Sequence, residues 1–484
     1  MIETVDVAIV GSGFAGLGAA VRLAEAGRGD FVILEKGESV GGTWRDNTYP
    51  GCACDVQSHL YSFSFAPNPN WTRNFARQPE IRAYLESITD RYGLRDRLRL
   101  GREITGLEWD GSRWEVRSAD GEVVHARAVV WGTGPLHIPS LPEIEGLDEF
   151  TGTVFHSSRW DHDHDLNGSR VAVIGTGASA IQFVPHIQRE VESLTLFQRT
   201  APWVLPKPDH EIPALLRRIY RALPPVQRLQ RALIYGRNEM LVGGFLKPAR
   251  MKLIERFARS YLDRKFADRP DLKAKLTPDF TIGCKRILMS NDYYSALKRD
   301  NVSVVTDGIE RVTATGVVTA DGVEHEVDTI IFGTGFRVGE GMGAVTVTGR
   351  DGVKLDDVWA DGPEALLGTT VAGFPNLFMM IGPNTGLGHS SMVYMIESQT
   401  NFLLDALRLV DAHGANALDT RRERQDAFNV EVQSRLKGSV WNTGGCKSWY
   451  LDANGNNRTV WPGYTFDYRR RTRKVNLADH ELVH

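Results

Sequence analysis

Val5-Asp-Val-Ala-Ile-Val10-Gly11-Ser-Gly13-Phe-Ala-Gly16 decides how the rest of the chain is read. The β-branched run is that of a strand buried on both faces. A helical pattern from Leu17 to Ala26 follows the glycines. G-x-G-x-x-G between strand and helix is the context in which the motif binds a dinucleotide. Gly11 allows the tight turn, Gly13 lets a pyrophosphate approach the backbone, and Gly16 lets helix and strand pack closely. The helix N-terminus offers free N–H groups to the phosphates. A second strand, Phe31 to Leu34, ends at Glu35, about 20 residues on, where an acid binds ribose hydroxyls. The motif alone does not separate FAD from NAD.

The pattern recurs. Arg170 to Ile174 leads into Gly175-Thr-Gly177-Ala-Ser-Ala180 and a helical stretch through Ile187. The strand after it, Leu194 to Phe197, ends in Gln198-Arg199-Thr200 with no acid. A guanidinium and a hydroxyl in place of the ribose acid suit a 2′-phosphate and disfavour NAD. Two such units predict two dinucleotides, FAD in the first site and NADPH in the second. Gly132-Thr-Gly134 and Gly333-Thr-Gly335 each end a strand and predict crossings that bracket the second domain.

The expected architecture is α/β, with two Rossmann-like dinucleotide-binding domains and a helical insertion in the second. Residues 1–150 form the first part of the FAD domain. Residues 151–335 form the NADPH domain, with an Arg/Leu-rich insertion at about 206–280. Residues 336–484 complete the FAD domain and add an aromatic segment around Trp449 and Trp461 that is a candidate pocket lining. Amphipathic helices are expected over Ala214–Leu223, Val226–Met240 and Arg250–Phe266, a buried strand over Pro375–Ile381, and a helix from Ser391 to Leu407.

A net charge of -3 gives no electrostatic case for nucleic acid or an anionic membrane. No apolar run approaches the ~18 residues of a membrane span. Met1 to Asp6 lacks the basic and apolar character of a signal peptide. Cys52, Cys54, Cys284 and Cys446 are too few and too scattered for a disulfide framework, so a reducing cytoplasm is expected. The C-x-C spacing of Cys52 and Cys54 is not that of a redox-active pair, which leaves them structural. Asp161-His-Asp-His-Asp165 alternates candidate ligands on an irregular loop and is read as solvated, with no metal expected. Two residues stand out as candidates for chemistry: Asp55, after Tyr49-Pro50-Gly51, and Arg286, where the chain re-enters the second domain after its insertion.

Between the two glycine units, Phe150, Gly152, His156, Trp160 and Asp161 fall in the register F-x-G-x-x-x-H-x-x-x-W-[P/D]. This resembles the fingerprint of the FAD- and NADPH-dependent Baeyer–Villiger monooxygenases. Gly42, Trp44, Tyr49, Pro50, Gly51 and Asp55 also match the longer pattern G-x-W-x(4)-[F/Y]-P-G-x(3)-D. Related flavin-containing monooxygenases usually carry Phe or Tyr where Trp160 stands. The resemblance runs from Gly11 to about Trp461. It departs from the family in the short N-terminus and in Gly-Thr-Gly for the commoner Ala-Thr-Gly.

The resemblance implies a catalytic role for Arg286, oriented by Asp55, and a coupling role for His156. It places Lys285 with Arg199 and Thr200 on the NADPH 2′-phosphate. Gly42, Thr43 and Trp44, with Asn384 in the turn Gly382–Gly386, are candidate flavin contacts. The implied reaction uses NADPH and O2 to insert oxygen beside a ketone carbonyl through a C4a-peroxyflavin, giving an ester or lactone. Oxygenation of sulfur or nitrogen, or an NADPH oxidase or redox-sensor role, stays open at this point. The expected partners are a small ketone and O2, without nucleic acid or membrane, in a monomer or weak homo-oligomer; membrane or partner binding through the basic helices of the insertion is the lesser alternative.

Overall fold

The computed structural model describes residues 3–338, 342 and 345–484. At the centre of the first sheet, Glu3–Val10 pairs in parallel with Phe31–Leu34 on one side and Val123–Trp131 on the other. Val7 to Val10 are buried, which is why this stretch reads as a continuous apolar run rather than an alternating one. Val123–Trp131 continues antiparallel into Trp114–Ser118 and then Ile104–Trp109. Leu98–Arg99 edges the sheet beyond Phe31–Leu34, and strands from far along the chain complete it: Thr346–Thr348 on Ile104–Trp109, and Leu377–Met379 on Val123–Trp131.

The second sheet is wholly parallel, in the order Val302–Val305, Ser193–Phe197, Arg170–Ile174, Thr329–Phe332, Thr153–His156. The largest apolar core joins residues of both sheets and includes Phe63, Trp71, Phe183, Trp441 and Trp461.

Each dinucleotide turn rests on one of the two Gly-Thr-Gly segments. Gly11 (φ 96°) and Gly175 (φ 108°) lie in the left-handed region. A Cβ on Gly11 would come within 2.8 Å of the Gly132 carbonyl oxygen, and one on Gly175 within 2.6 Å of that of Gly333. The repeat noted in the sequence therefore serves packing at both sites: glycine faces glycine under each turn.

The insertion leaves and returns on a two-stranded parallel pair, Val204–Leu205 and Leu288–Met289. Its helices are Ala214–Ala222, Pro224–Glu239, Val242–Leu246, Pro248–Lys265 and Pro270–Leu276. Three of them start at a proline, whose missing N–H costs nothing in the first turn. The three helices expected from periodicity are all present; the two short ones were not foreseen.

Two expectations need correction. The strand expected over Pro375–Ile381 is only Leu377–Met379, because Asn376 (φ 51°) and Ile381 (φ 62°) turn the backbone out of extension on either side. The cysteines were read as forming no disulfide framework, yet Cys284 and Cys446 are bonded across a separation of 162 residues. Only the fold brings them together. The helix expected from Ser391 runs over Met392–Ala412, with the Ser391 hydroxyl capping it by accepting from the Val393 N–H at 3.2 Å.

Candidate active site

The first nucleotide turn is braced by Glu35. One of its carboxylate oxygens accepts from the Ser12 N–H (2.8 Å) and hydroxyl (2.7 Å), the other from the Gly37 N–H (2.8 Å) and Arg45 (2.6 Å). Burial alone would raise its pKa, but Arg45 and these hydrogen bonds prevail and hold the carboxyl below its ordinary value. Glu35 is therefore an anion at the strand end, where a ribose diol needs an acceptor. Sequence reading passed over Arg45, which ends the run Gly41-Gly-Thr-Trp-Arg45 and ties that run to Glu35.

Gly42 (φ 52°) approaches Gly13, and Thr43 and Trp44 open the short helix Thr43–Asp46. The Trp44 indole N–H donates to the Tyr61 hydroxyl at 3.1 Å. Asn384 (φ 55°) spends its side-chain amide on the carbonyls of Asn457 and Val460, so it shapes its loop against the C-terminal segment.

At the second turn the helix Ala180–Ile187 begins beside Gly175 and Gly177. Arg199 and Lys285 lie close enough to influence each other: burial, and then the Arg199 charge, push the Lys285 ammonium below its usual pKa. Thr200 holds the Gly-rich turn, its carbonyl accepting from the Thr176 hydroxyl at 3.2 Å. Two neighbouring cations beside a phosphate-binding turn form an anion site, and this donor set fits NADP.

Asp55, in the loop that follows Tyr49-Pro50-Gly51, and Arg286, in the loop leading to Leu288–Met289, are 231 residues apart and meet in space. Arg286 Nε donates to Asp55 Oδ2 at 2.6 Å. Arg286 Nη1 lies 3.4 Å from the Leu387 carbonyl oxygen, and Nη2 has no protein partner among the described residues. The Asp55 charge holds the guanidinium pKa above its already high value. Burial raises the Asp55 carboxyl, but Arg286 outweighs it and the net shift is downward. Both side chains lie deep in the protein, yet keep 38% and 30% of their surface open, as groups lining a cleft do.

Tyr450, its phenol pushed up by burial, adjoins Arg286, and Trp449 packs on Tyr450 at 4.6 Å between ring centres. The Cys284–Cys446 bond joins the Arg286 loop to this aromatic segment. Lys207 was also passed over in the sequence, although Pro206-Lys-Pro208 directly follows the second site's Val204–Leu205 strand. Its ammonium donates to the Cys54 carbonyl at 3.0 Å, beside Asp55. Cys52 and Cys54 are free and buried, and burial pushes both thiols up, Cys52 to about 12. They are inert thiols.

The motif at residues 49–55 is a dock between domains. The Tyr49 hydroxyl donates to Gln182 Oε1 at 3.0 Å, and Gln182 exchanges hydrogen bonds with the Ala53 backbone. Gly51 (φ 80°) lies against the same helix, where a Cβ would fall 2.4 Å from the His186 ring.

The junction residues do not touch the Asp55–Arg286 pair. They form the edge of the second sheet. Gly152 passes under the Asp328 carbonyl, with Phe150 packed beside it. His156 Nδ1 accepts from the Ser158 N–H at 3.1 Å, its Nε2 is buried with no hydrogen-bond partner among the described residues, and burial lowers its pKa. Trp160 packs on Phe183, which packs on Tyr49. Asp161 caps a local turn through the N–H groups of Asp163 and His164. His162 bonds Thr48, and His164 bonds Thr153 and Thr329, so both histidines of this loop already serve other contacts.

A pyridine nucleotide-disulphide oxidoreductase family model matches residues 8–223. A Baeyer-Villiger monooxygenase of Streptomyces coelicolor is 54% identical over 99% of this chain and 93% of its own length. A protein of the same description from Pseudomonas aeruginosa is 54% identical over 99% and 91%. Among solved structures, an oxidised steroid monooxygenase bound to NADP superposes with a TM-score of 0.89 at 32% identity, covering 99% of both chains. The closed form of cyclohexanone monooxygenase superposes at 0.88 and 29% identity, covering 100% of this chain and 99% of that one. Two nucleotide turns, a carboxylate–guanidinium pair set between them and these likenesses agree: the chain belongs to the Baeyer–Villiger monooxygenase family, flavoenzymes that use NADPH and O2 to insert one oxygen atom beside a ketone carbonyl.

Proposed function

We propose that Arg286, held by Asp55, is the group around which this chain converts an apolar ketone to an ester or lactone. The observation that carries this reading is the Asp55–Arg286 ion pair, deep in the cleft yet open to it. FAD, cradled at Gly11, Gly13, Gly16 and Glu35 with Gly42, Thr43 and Trp44 alongside, supplies electron transfer and oxygen activation when bound. NADPH is the reductant, held at Gly175, Gly177 and Ala180 with its 2′-phosphate on Arg199, Thr200 and Lys285.

The chain's own contribution is electrostatic. A guanidinium stays protonated across the working pH range and presents fixed donors. Asp55 commits Nε, which leaves Nη2 to donate to oxygen atoms that gain negative charge as the carbonyl is attacked. Tyr450 and the Phe245–Trp441 stack, 5.2 Å between ring centres, are buried and back the site with apolar aromatic surface, while Trp449 is 56% exposed at its edge. Trp160 acts through the Phe183–Tyr49 contact, and His156 packs on Phe336, just after the Gly333-Thr-Gly335 crossing, so both couple the two nucleotide domains rather than touch substrate. The domain division at about 150 and 335 and a monomer or weak homo-oligomer belong to the same proposal, as does a cytoplasmic setting, although the Cys284–Cys446 bond removes the cysteine argument for it.

The test is Arg286→Ala, reduced with NADPH without oxygen and then mixed with O2 and a test ketone. Flavin reduction should persist while ester yield falls ~10²–10³-fold and hydrogen peroxide takes its place. Normal ester yield would remove Arg286 from the mechanism. Undiminished oxygenation of a sulfide with no ester even in the unaltered protein would point to heteroatom oxygenation.

A further inference from the structure

The helix Pro224–Glu239 is built inside out. Its inward face is mostly polar, with Ile234 the one buried aliphatic side chain, and the polar groups are engaged. Gln227 donates to the Asn68 carbonyl, and Arg231 Nη1 donates to the carbonyls of His59 and Ser62. Asn238 bonds Gln57, and Glu239 accepts from His389 and from the Thr465 backbone. Its outward face carries Val226, Leu229, Leu233 and, at the C-terminal cap, Met240, all exposed, with Leu233 at 62% and Met240 at 74%. At 100° per residue these four fall within an arc of about 60°. A surface helix ordinarily turns that stripe to the core.

The stripe continues onto the neighbouring helix Pro248–Lys265. Arg250 reaches Gly243, two residues after the exposed Leu241, and Leu253 (75% exposed) and Phe257 share the Arg250 face. Charge is as uneven as polarity. From residue 214 to 256 there are ten lysine and arginine residues against two acids, Glu239 and Glu255, in a chain whose net charge is -3. Glu239 is buried with His389, and Glu255 is paired with Arg259. Arg228, Arg237, Arg250, Lys252 and Arg256 have no carboxylate partner among the described residues. Elsewhere on the chain, arginines such as Arg102, Arg117 and Arg170 sit in ion pairs with two acids each.

We propose that this face of the insertion is a peripheral docking surface for an anionic lipid bilayer. Aliphatic and aromatic side chains interleaved with unpaired cations match a helix lying in the interface, its apolar face in the acyl boundary and its arginines at lipid phosphates. Long cationic side chains bury their stems and keep their heads at the phosphate level. The expectation of no membrane partner rested on the net charge, which averages this patch away. The opposite face of the same insertion touches the site: Glu239 bonds His389, and Phe245 packs on Gly388, next to the Leu387 carbonyl beside Arg286. Docking would thus set the roof of the cleft on the phase in which apolar ketones dissolve.

The test uses the full-length, cofactor-loaded enzyme, co-sedimented with vesicles of phosphatidylcholine alone or of phosphatidylcholine containing phosphatidylglycerol. The unaltered protein should bind only the phosphatidylglycerol vesicles, less so as salt rises. Leu229→Asp/Leu233→Asp and, separately, Arg228→Glu/Arg237→Glu should each weaken binding about tenfold or more, with NADPH-driven flavin reduction unchanged. No binding by the unaltered protein, or binding untouched by both double variants, would overturn the proposal. So would a dimer in solution that Leu229→Asp/Leu233→Asp dissociates without any vesicle binding, which would assign the face to a second copy of this chain.

Discussion

Asp55 offers one carboxylate to one guanidinium, and the 2.6 Å contact through Nε sets the plane in which Arg286 presents its remaining donors. Asp55→Asn keeps the shape but removes the charge that holds the guanidinium. Ester formation should fall by ~10²-fold while NADPH still reduces the flavin, and the fraction of NADPH oxidised to peroxide should rise; an unchanged ester-to-NADPH ratio would show that the carboxylate does not orient Arg286. Asp419, away from the site, is a residue whose charge opposes folding. Burial pushes its carboxyl up from 3.8 to about 6, with Arg350 no nearer than 3.9 Å. Between those values the folded state keeps a proton that the unfolded chain has shed, so stability falls as pH rises through the window and the cost persists above it. Two units correspond to about 3 kcal/mol at pH 8 and about half that at pH 5. Asp419→Asn should therefore raise Tm at pH 8, with a gain at pH 5 about half as large; equal gains at both pH values would refute the assignment.

Among the elements, the loop at residues 49–55 and the helix Ala180–Ile187 form the unit that brings the two nucleotide domains into register. Gly51→Ala would place a methyl 2.4 Å from the His186 ring in a left-handed backbone, a strain of about 1–3 kcal/mol. Lower thermal stability and more peroxide per NADPH are expected together, read by a melting scan and a peroxide assay. Tight coupling in a destabilised Gly51→Ala protein would separate the dock from catalysis. The motif was legible as Tyr-Pro-Gly…Asp before its purpose was. Gly51 could be matched, but the helix it clears begins 129 residues later, and no local pattern reveals a contact of that range.

For the whole molecule, the Cys284–Cys446 bond closes a 162-residue loop that takes in the Arg286 loop, the return into the first sheet and the aromatic C-terminal segment. By restricting the unfolded chain, such a link is worth about 5 kcal/mol where loop-closure entropy is the main term. Cys446→Ser, or reduction of the unaltered protein, should lower Tm by several degrees without altering cofactor content. A melting point indifferent to reductant, with thiol titration confirming that the bond was broken, would mean the link does not contribute to stability.

What the chain alone determined was whatever lives in short windows. Both glycine turns, the strands feeding them, Glu35 at a strand end and the Arg199 swap are local, because hydrogen-bonding geometry and hydrophobic period act over a dozen residues. The paired residues Asp55 and Arg286 were nameable from motif but not joinable. Tertiary structure alone decided that they meet, that Arg45 and Lys207 brace the site, that two distant cysteines bond, and that the Pro224–Glu239 helix turns its polar face inward. That last result inverts the sequence-level expectation for an amphipathic helix. Its buried partners are the backbone carbonyls and side chains of the loop at residues 57–68, which need polar partners more than they need leucine, and their positions depend on the folding of a different domain.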